Sequence, residues 1–540
     1  MRTDDPDEQR SYRLSVDQMM GGMIEDDQRS RDVIDLATHG CDAFVAVISK
    51  IVTSGHLGRC YMPPTNSFQD RYGLTLTSSS VTAVEHYRKG IDQFLSVDVG
   101  AEASLAQAIE ADEGFAAAHA SLALMQQSQG AAAEAKQSAT RARACIAGLS
   151  KREHQYVEAI ALFVDGGGSR VRPLVHEHLE EFPRDAILLF LHGFLNARSG
   201  RADWQQEQFA YLTRLAPQYG DDWFFLGQYS FAHHAINRFE GSRRLAEQSL
   251  VRNPRCGYAV HSLAHVFYET NAHADGSAFL DGWLANYDQS APMHCHLAWH
   301  WALFELSMGQ YDRVMELYDH FIRPEVARTR TSMYDAASLL WRYKIYGCAQ
   351  EALPWSTVCE LAARMTAQPG MAFVDANAAL ALAAAQDEVA LARLIDGLRA
   401  LDAQGHPTAG PVVLPLVQGI WAFAQGAYDE SIRWIEPIAD QIVRLGGSNA
   451  QREVFEDTLL EAYLRAGHYI KAETMLRQRL GRRPSSRDLF WLGRAQMGNG
   501  QQEGARISLQ EAQRSWAAAD PEAAESAALE RAQHAVQAMA

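Results

Sequence analysis

Several things are scarce in this chain, and each scarcity closes a class of function. A membrane span is missing: the longest apolar run near the N-terminus, Phe44 to Ile48, is soon followed by Lys50, far short of the roughly 20 residues a spanning helix needs. Met1 to Arg10 is acidic and polar where a secretory signal would be basic and then apolar. The seven cysteines (41, 60, 145, 256, 295, 348 and 359) are odd in number, dispersed, and form no Cys-x-x-Cys. A disulfide framework is therefore excluded and a reducing cytoplasm expected. Positive charge is also short, with 49 Lys and Arg against 66 Asp and Glu and a formal net charge of −17. Such a surface repels a phosphate backbone, so nucleic acid is not an expected partner. There is no Gly-x-Ser-x-Gly, and Asp165-Gly-Gly-Gly-Ser169 lacks the Gly-Lys-Ser/Thr ending of a phosphate loop and reads as a turn. No strand-period stretch of useful length is present.

What the chain has in abundance is helical periodicity broken by Gly and Pro. Met308-Gly-Gln-Tyr-Asp-Arg-Val is echoed by Gln425-Gly-Ala-Tyr-Asp-Glu-Ser and by Ala466-Gly-His-Tyr-Ile-Lys-Ala. In each, the glycine ends one helix and the tyrosine begins packing the next. Gly426 and Gly467 are 41 apart (467 minus 426), while Gly467 and Gly500 are 33 apart (500 minus 467). A drifting period of this size marks degenerate helical hairpins. Pro217, Pro254 and Pro292 are expected in gaps or just before helices. The predicted fold is all-α, a tetratricopeptide-like right-handed solenoid of about nine to twelve hairpins. Its core grows along an axis, so 540 residues with 47% hydrophobic content need not split into compact domains. Residues 1–70 read differently, as a poorly ordered or peripheral leader with one possible helix between Ser30 and Thr53. A start upstream of the true one at Met62 would also explain it. Residues 71–540 form the array, capped by helices within Gln501 to Met539.

One constellation stands out. His261-Ser-Leu-Ala-His265 recurs as His296-Leu-Ala-Trp-His300, and both histidines are displaced by 35 (296 minus 261, 300 minus 265). That is close to the period of about 34 of a tetratricopeptide hairpin. Residues four apart share a helix face, so each pair points one way, and equivalent helices stack side by side. The four imidazoles are expected on the concave face, at positions that line the groove and are not core, where they can chelate a divalent transition metal, zinc first. A further step of 35 lands on Asp335, a ligand or an acceptor for an imidazole, and Asp375 can extend the acidic wall. Glu269, one turn beyond His265, is the candidate general base if the site is catalytic. Trp299 replaces a small consensus residue and is expected to leave a pocket. His294 is expected to face away. Ser448 and Gln451 spell a capping box, with Arg452 as a possible anion partner.

Three segments carry a family resemblance: Ala259-Val-His-Ser-Leu-Ala-His265, Cys295-His-Leu-Ala-Trp-His-Trp-Ala302, and Val443-Arg-Leu-Gly-Gly-Ser-Asn-Ala-Gln-Arg452. Lys151-Arg-Glu153, Met315-Glu-Leu-Tyr-Asp319 and Leu414-Pro-Leu416 support them. From about residue 70 to about residue 517 the chain resembles the tetratricopeptide repeat protein 38 family. The resemblance implies a degenerate repeat superhelix in a soluble intracellular protein and implies no particular chemistry. His261, His265, His296, His300, Asp335, Gln451 and Arg452 match the family motifs, whereas Asn377 stands where the family pattern has histidine. Peptide-clamping grooves of this fold rely on Lys, Arg and Asn, and here the groove offers His and Asp. Two functions follow as expectations: a repeat protein that binds a protein partner or small polar molecule in a His/Asp-lined groove, or a metal-dependent enzyme built on the histidine cluster.

Overall fold

A computed structural model describes residues 67–167, 170–347, 352–516 and 529–532. The expected leader helix, the Met62 start and residues 517–528 and 533–539 of the C-terminal capping segment lie outside the described residues. Within them the chain is an all-α tetratricopeptide-like solenoid of 25 α-helices, preceded by one short hairpin. That hairpin pairs Ser67–Gln69 with Thr75–Thr77 in antiparallel register, Phe68 opposite Leu76. It was not anticipated, because three-residue strands are too short to show alternation. Its turn is held by the Asp70 carboxylate, which accepts from the amides of Tyr72 and Leu74 at 2.8 Å. Glu153 then anchors it to the array by accepting from Thr77 N at 2.7 Å.

The punctuation works as the sequence implies. Gly309 ends the His294–Met308 helix at φ +77°, and Tyr311 starts the next. Ser150 with Glu153, and Ser448 with Gln451, close reciprocal capping boxes that satisfy otherwise orphaned amides. Pro254 and Pro292 sit between helices. Pro217 does not: it lies in the last turn of Trp204–Tyr219, where its missing amide removes a single helical hydrogen bond.

Burial separates two apolar cores. One runs from the N-terminal hairpin through helix Trp223–Ala235, and the other from Ala246 onward. The first helices of the two histidine hairpins, Gly257–Glu269 and His294–Met308, belong to the second core and are apolar nearly all round: 11 and 13 of their residues respectively are buried. A helix buried on every side needs polar residues only where they meet each other. That condition decides where the histidines lie.

Candidate functional site

The helices Gly257–Glu269, His294–Met308 and Thr331–Ile345 stand side by side, and the 35-residue displacement brings their polar residues together. His261 Nε2 lies 3.1 Å from His296 Nε2 and 3.0 Å from His265 Nε2. The His300 ring packs 4.4 Å from His265 and 5.1 Å from His261 between centroids. Nitrogens of His261, His296 and His300 all fall within 4.8 Å of one another. The cluster is thus one centre shared by two helices.

It does not line an open groove. His265 and His300 are fully buried and His296 is 6% exposed; His261 alone is half-buried. The groove positions of a regular repeat are interior here, covered by Phe231 and His234 of the preceding hairpin. Burial and the neighbouring imidazoles hold His261, His265 and His300 well below the usual histidine range, so they are neutral and carry free lone pairs. Both ring nitrogens of His300, and Nδ1 of His265, lack a hydrogen-bond partner.

Asp335, 1% exposed, completes the third helix's contribution. His296 Nδ1 lies 2.9 and 3.1 Å from its two carboxylate oxygens. A neutral His296 that donates Nδ1–H to Asp335 turns its Nε2 lone pair to the cluster. Burial raises the Asp335 carboxyl, and His296 offsets it. Trp299 leaves no pocket. It is fully buried, stacked on His296 at 5.2 Å, and donates from Nε1 to Ser338 Oγ at 3.1 Å. The oversized side chain fills the interhelical space and fixes the imidazole plane.

The remaining nominated residues lie elsewhere. Glu269 faces Arg483, 3.9 Å away, inside a buried charge network with Glu453 and Arg479. Asp375 closes its own helix start, accepting from Gly370 N at 2.8 Å. Gln451 is spent in its capping box. Arg452 donates to the carbonyls of Gly446 and Gly447 and to Asn449 Oδ1, and burial lowers it to about 10. His294 turns to Phe321, with centroids 5.2 Å apart. Asn377, at the departure from the family pattern, donates to its own helix at Phe373 O.

One member was missed. His234, 1% exposed, stacks on His265 with centroids 4.3 Å apart, and burial lowers it to about 3. Its offset from His265 is 31 (265 minus 234), outside the register that revealed the others. Phe231, one turn earlier, covers His261 in a stacked contact at 5.4 Å.

No known family model matches the chain. Among solved structures it is similar to a human IFIT1 dimer with m7Gppp-AAAA, at 15% identity over 81% of this chain and 94% of that one, TM-score 0.35. A second human IFIT1 dimer, with PPP-AAAA, matches at 15% identity over 84% and 98%, TM-score 0.37. The P58(IPK) TPR domain matches at 11% identity over 72% and 98%, TM-score 0.21.

Proposed function

We propose that this protein is a cytoplasmic repeat protein of the tetratricopeptide repeat protein 38 type whose buried centre binds a divalent transition metal, zinc first. His261, His296 and His300 are the ligands, with His265 beside them and Asp335 orienting His296. The observation that carries this reading is the convergence of buried imidazole nitrogens whose contacts cannot all be hydrogen bonds to one another. His261 Nε2 touches two other Nε2 atoms and, with one hydrogen at most, can donate to only one of them. A single cation satisfies several lone pairs at once. Nitrogens bound tetrahedrally at about 2.0 to 2.1 Å from zinc are about 3.3 Å apart, a spacing reached by small ring rotations.

The same spacing argues against a small polar molecule held among these rings, since contacts of 3.0 Å leave room for an ion and no more. As for catalysis, three imidazoles leave a coordination position open. With Glu269 turned to Arg483, the expected general base does not serve it.

Elemental analysis of untagged protein tests the metal. About one equivalent of zinc, or of another divalent transition metal, is expected in the wild type. His300→Ala and His261→Ala should each lower it below a tenth, while His294→Ala retains it. Wild-type protein that stays metal-free after equilibration with micromolar zinc overturns the reading.

A further inference from the structure

The charged cluster around Glu269 and Glu453 takes no part in the imidazole centre, and it borders a space of its own. A small interior cavity of about 30 Å³ lies there, room for one small ion or about two waters. Its wall carries Arg342, Arg479, Arg483 and Arg487, each at most 7% exposed, against a single carboxylate, Glu453. Guanidinium groups buried around one space are costly unless negative charge faces them.

The other acids of the cluster do not face it. Asp457 accepts from Arg479 Nη1 and from the Tyr346 hydroxyl, each at 2.7 Å, and Asp488 accepts from Arg479 Nε at 3.0 Å. Neither lines the cavity, nor does Glu269. Glu453 does, yet both its oxygens are engaged: Oε1 accepts from Arg479 at 3.0 Å and from Arg483 at 2.6 Å, and Oε2 accepts from Tyr268 at 2.6 Å.

Donors remain on the wall. Arg342, 1% exposed, has no hydrogen bond at Nε among the described residues, with Asp457 3.7 Å away. His273, which burial lowers to about 3 and so keeps neutral, lines the same space, and its Nδ1 is likewise buried without a hydrogen bond. Helix Ser486–Gly498 begins there, its Ser485 cap accepting from Asp488 N at 3.1 Å, so the partial positive charge of its first turn borders the cavity. A water needs acceptors for its own hydrogens as well as donors. A wall this rich in donors suits an occupant that only accepts.

We propose that the cavity holds a small inorganic anion of chloride size, bound by Arg342, Arg483 and His273 and by the start of helix Ser486–Gly498. The anion ties the C-terminal hairpins to the three helices of the imidazole centre, because Tyr268, Leu303 and Arg342 on the wall come from Gly257–Glu269, His294–Met308 and Thr331–Ile345. The seat requires no metal and stands apart from the metal reading.

Bromide, an anomalous scatterer close to chloride in size, reports the occupant directly. Crystals of the full chain grown in sodium bromide should show an anomalous peak inside the cavity, in contact with Arg342 and Arg483. In solution, chloride exchanged at constant ionic strength for gluconate, which is too large for the cavity, should raise the melting temperature saturably, with half the effect in the millimolar range. Arg483→Gln should move that half-effect to chloride concentrations about tenfold higher or more. Arg506→Gln, at an exposed pair with Glu503, should leave it unchanged. Should Arg483→Gln fail to fold, the bromide peak in wild type decides. No anomalous signal in the cavity, bromide confined to the outer surface, or a melting temperature indifferent to the exchange of gluconate for chloride overturns the proposal, and so does a chloride response that Arg483→Gln leaves intact.

Discussion

At Asp335 a single carboxylate decides which nitrogen of His296 faces the cluster. Replacing it by Asn leaves the size unchanged but permits the amide to donate to Nδ1, which turns the Nε2 lone pair into an N–H. Asp335→Asn should therefore lower zinc affinity by about 10- to 100-fold without unfolding the protein, as read by competition with a chromophoric chelator. An unchanged affinity would remove Asp335 from the centre. Asp375 offers a contrasting test, since it lies away from the cluster and its burial raises it to about 7. The folded state holds that proton more tightly than the unfolded chain, whose value is near 3.8. Stability from this group is therefore complete below about pH 4 and is lost as pH rises through 7. Asp375→Asn mimics the protonated form and keeps the acceptor for Gly370 N. It should be nearly neutral at pH 4.5 and stabilising, on the order of 2 to 4 kcal/mol, at pH 8. Urea titrations at the two pH values that give the same difference would refute this.

Elements were legible where local chemistry sets them and illegible where a distant contact does. The Gly309 stop and the Ser448–Gln451 cap follow from backbone groups within four residues of each other, so the sequence contains the whole cause. The two histidine pairs were legible because neighbouring hairpins repeat at a constant step, and Asp335 because the step recurs once more. His234 comes from a helix whose register differs, and no local signal ties it to His265. Burial of the cluster was misread for the same reason: consensus positions describe an open groove, and the helix that carries Phe231 and His234 over these rings is out of register with them. Gly446 shows how a contact between distant segments is written. Its φ of +85° with ψ of −160° is open to glycine alone, and a Cβ there would meet Ala197 O at 2.5 Å. Gly446→Ala should cost about 2 to 4 kcal/mol by guanidinium denaturation. A cost below about half a kcal/mol would mean that the segment yields without strain.

A solenoid is ordinarily one-dimensional, each repeat touching its neighbours, and it unravels from its ends. This molecule departs from that rule. Trp204 Nε1 donates to Val443 O at 3.2 Å, and Arg444 Nε donates to Gly200 O at 2.8 Å, linking positions 239 and 244 residues apart. Other long ties include Arg255 to Asp98 and Trp516 to Ser307. Closing so long a chain costs only logarithmically more entropy than closing a short one, so a few good contacts suffice to hold it. The consequence is shared cooperativity: segments near 200 and near 444 should open together, although no run of adjacent repeats joins them as directly. Trp204→Phe combined with Arg444→Met removes both donors while keeping bulk. Hydrogen exchange in this double variant should rise in 196–204 and 440–447 alike, with the Gly257–Glu269 helix still protected. Exchange that rises at the substituted residues but leaves Gly200 and Val443 at wild-type protection would show that the two segments are independent, and the molecule would then be an open array after all.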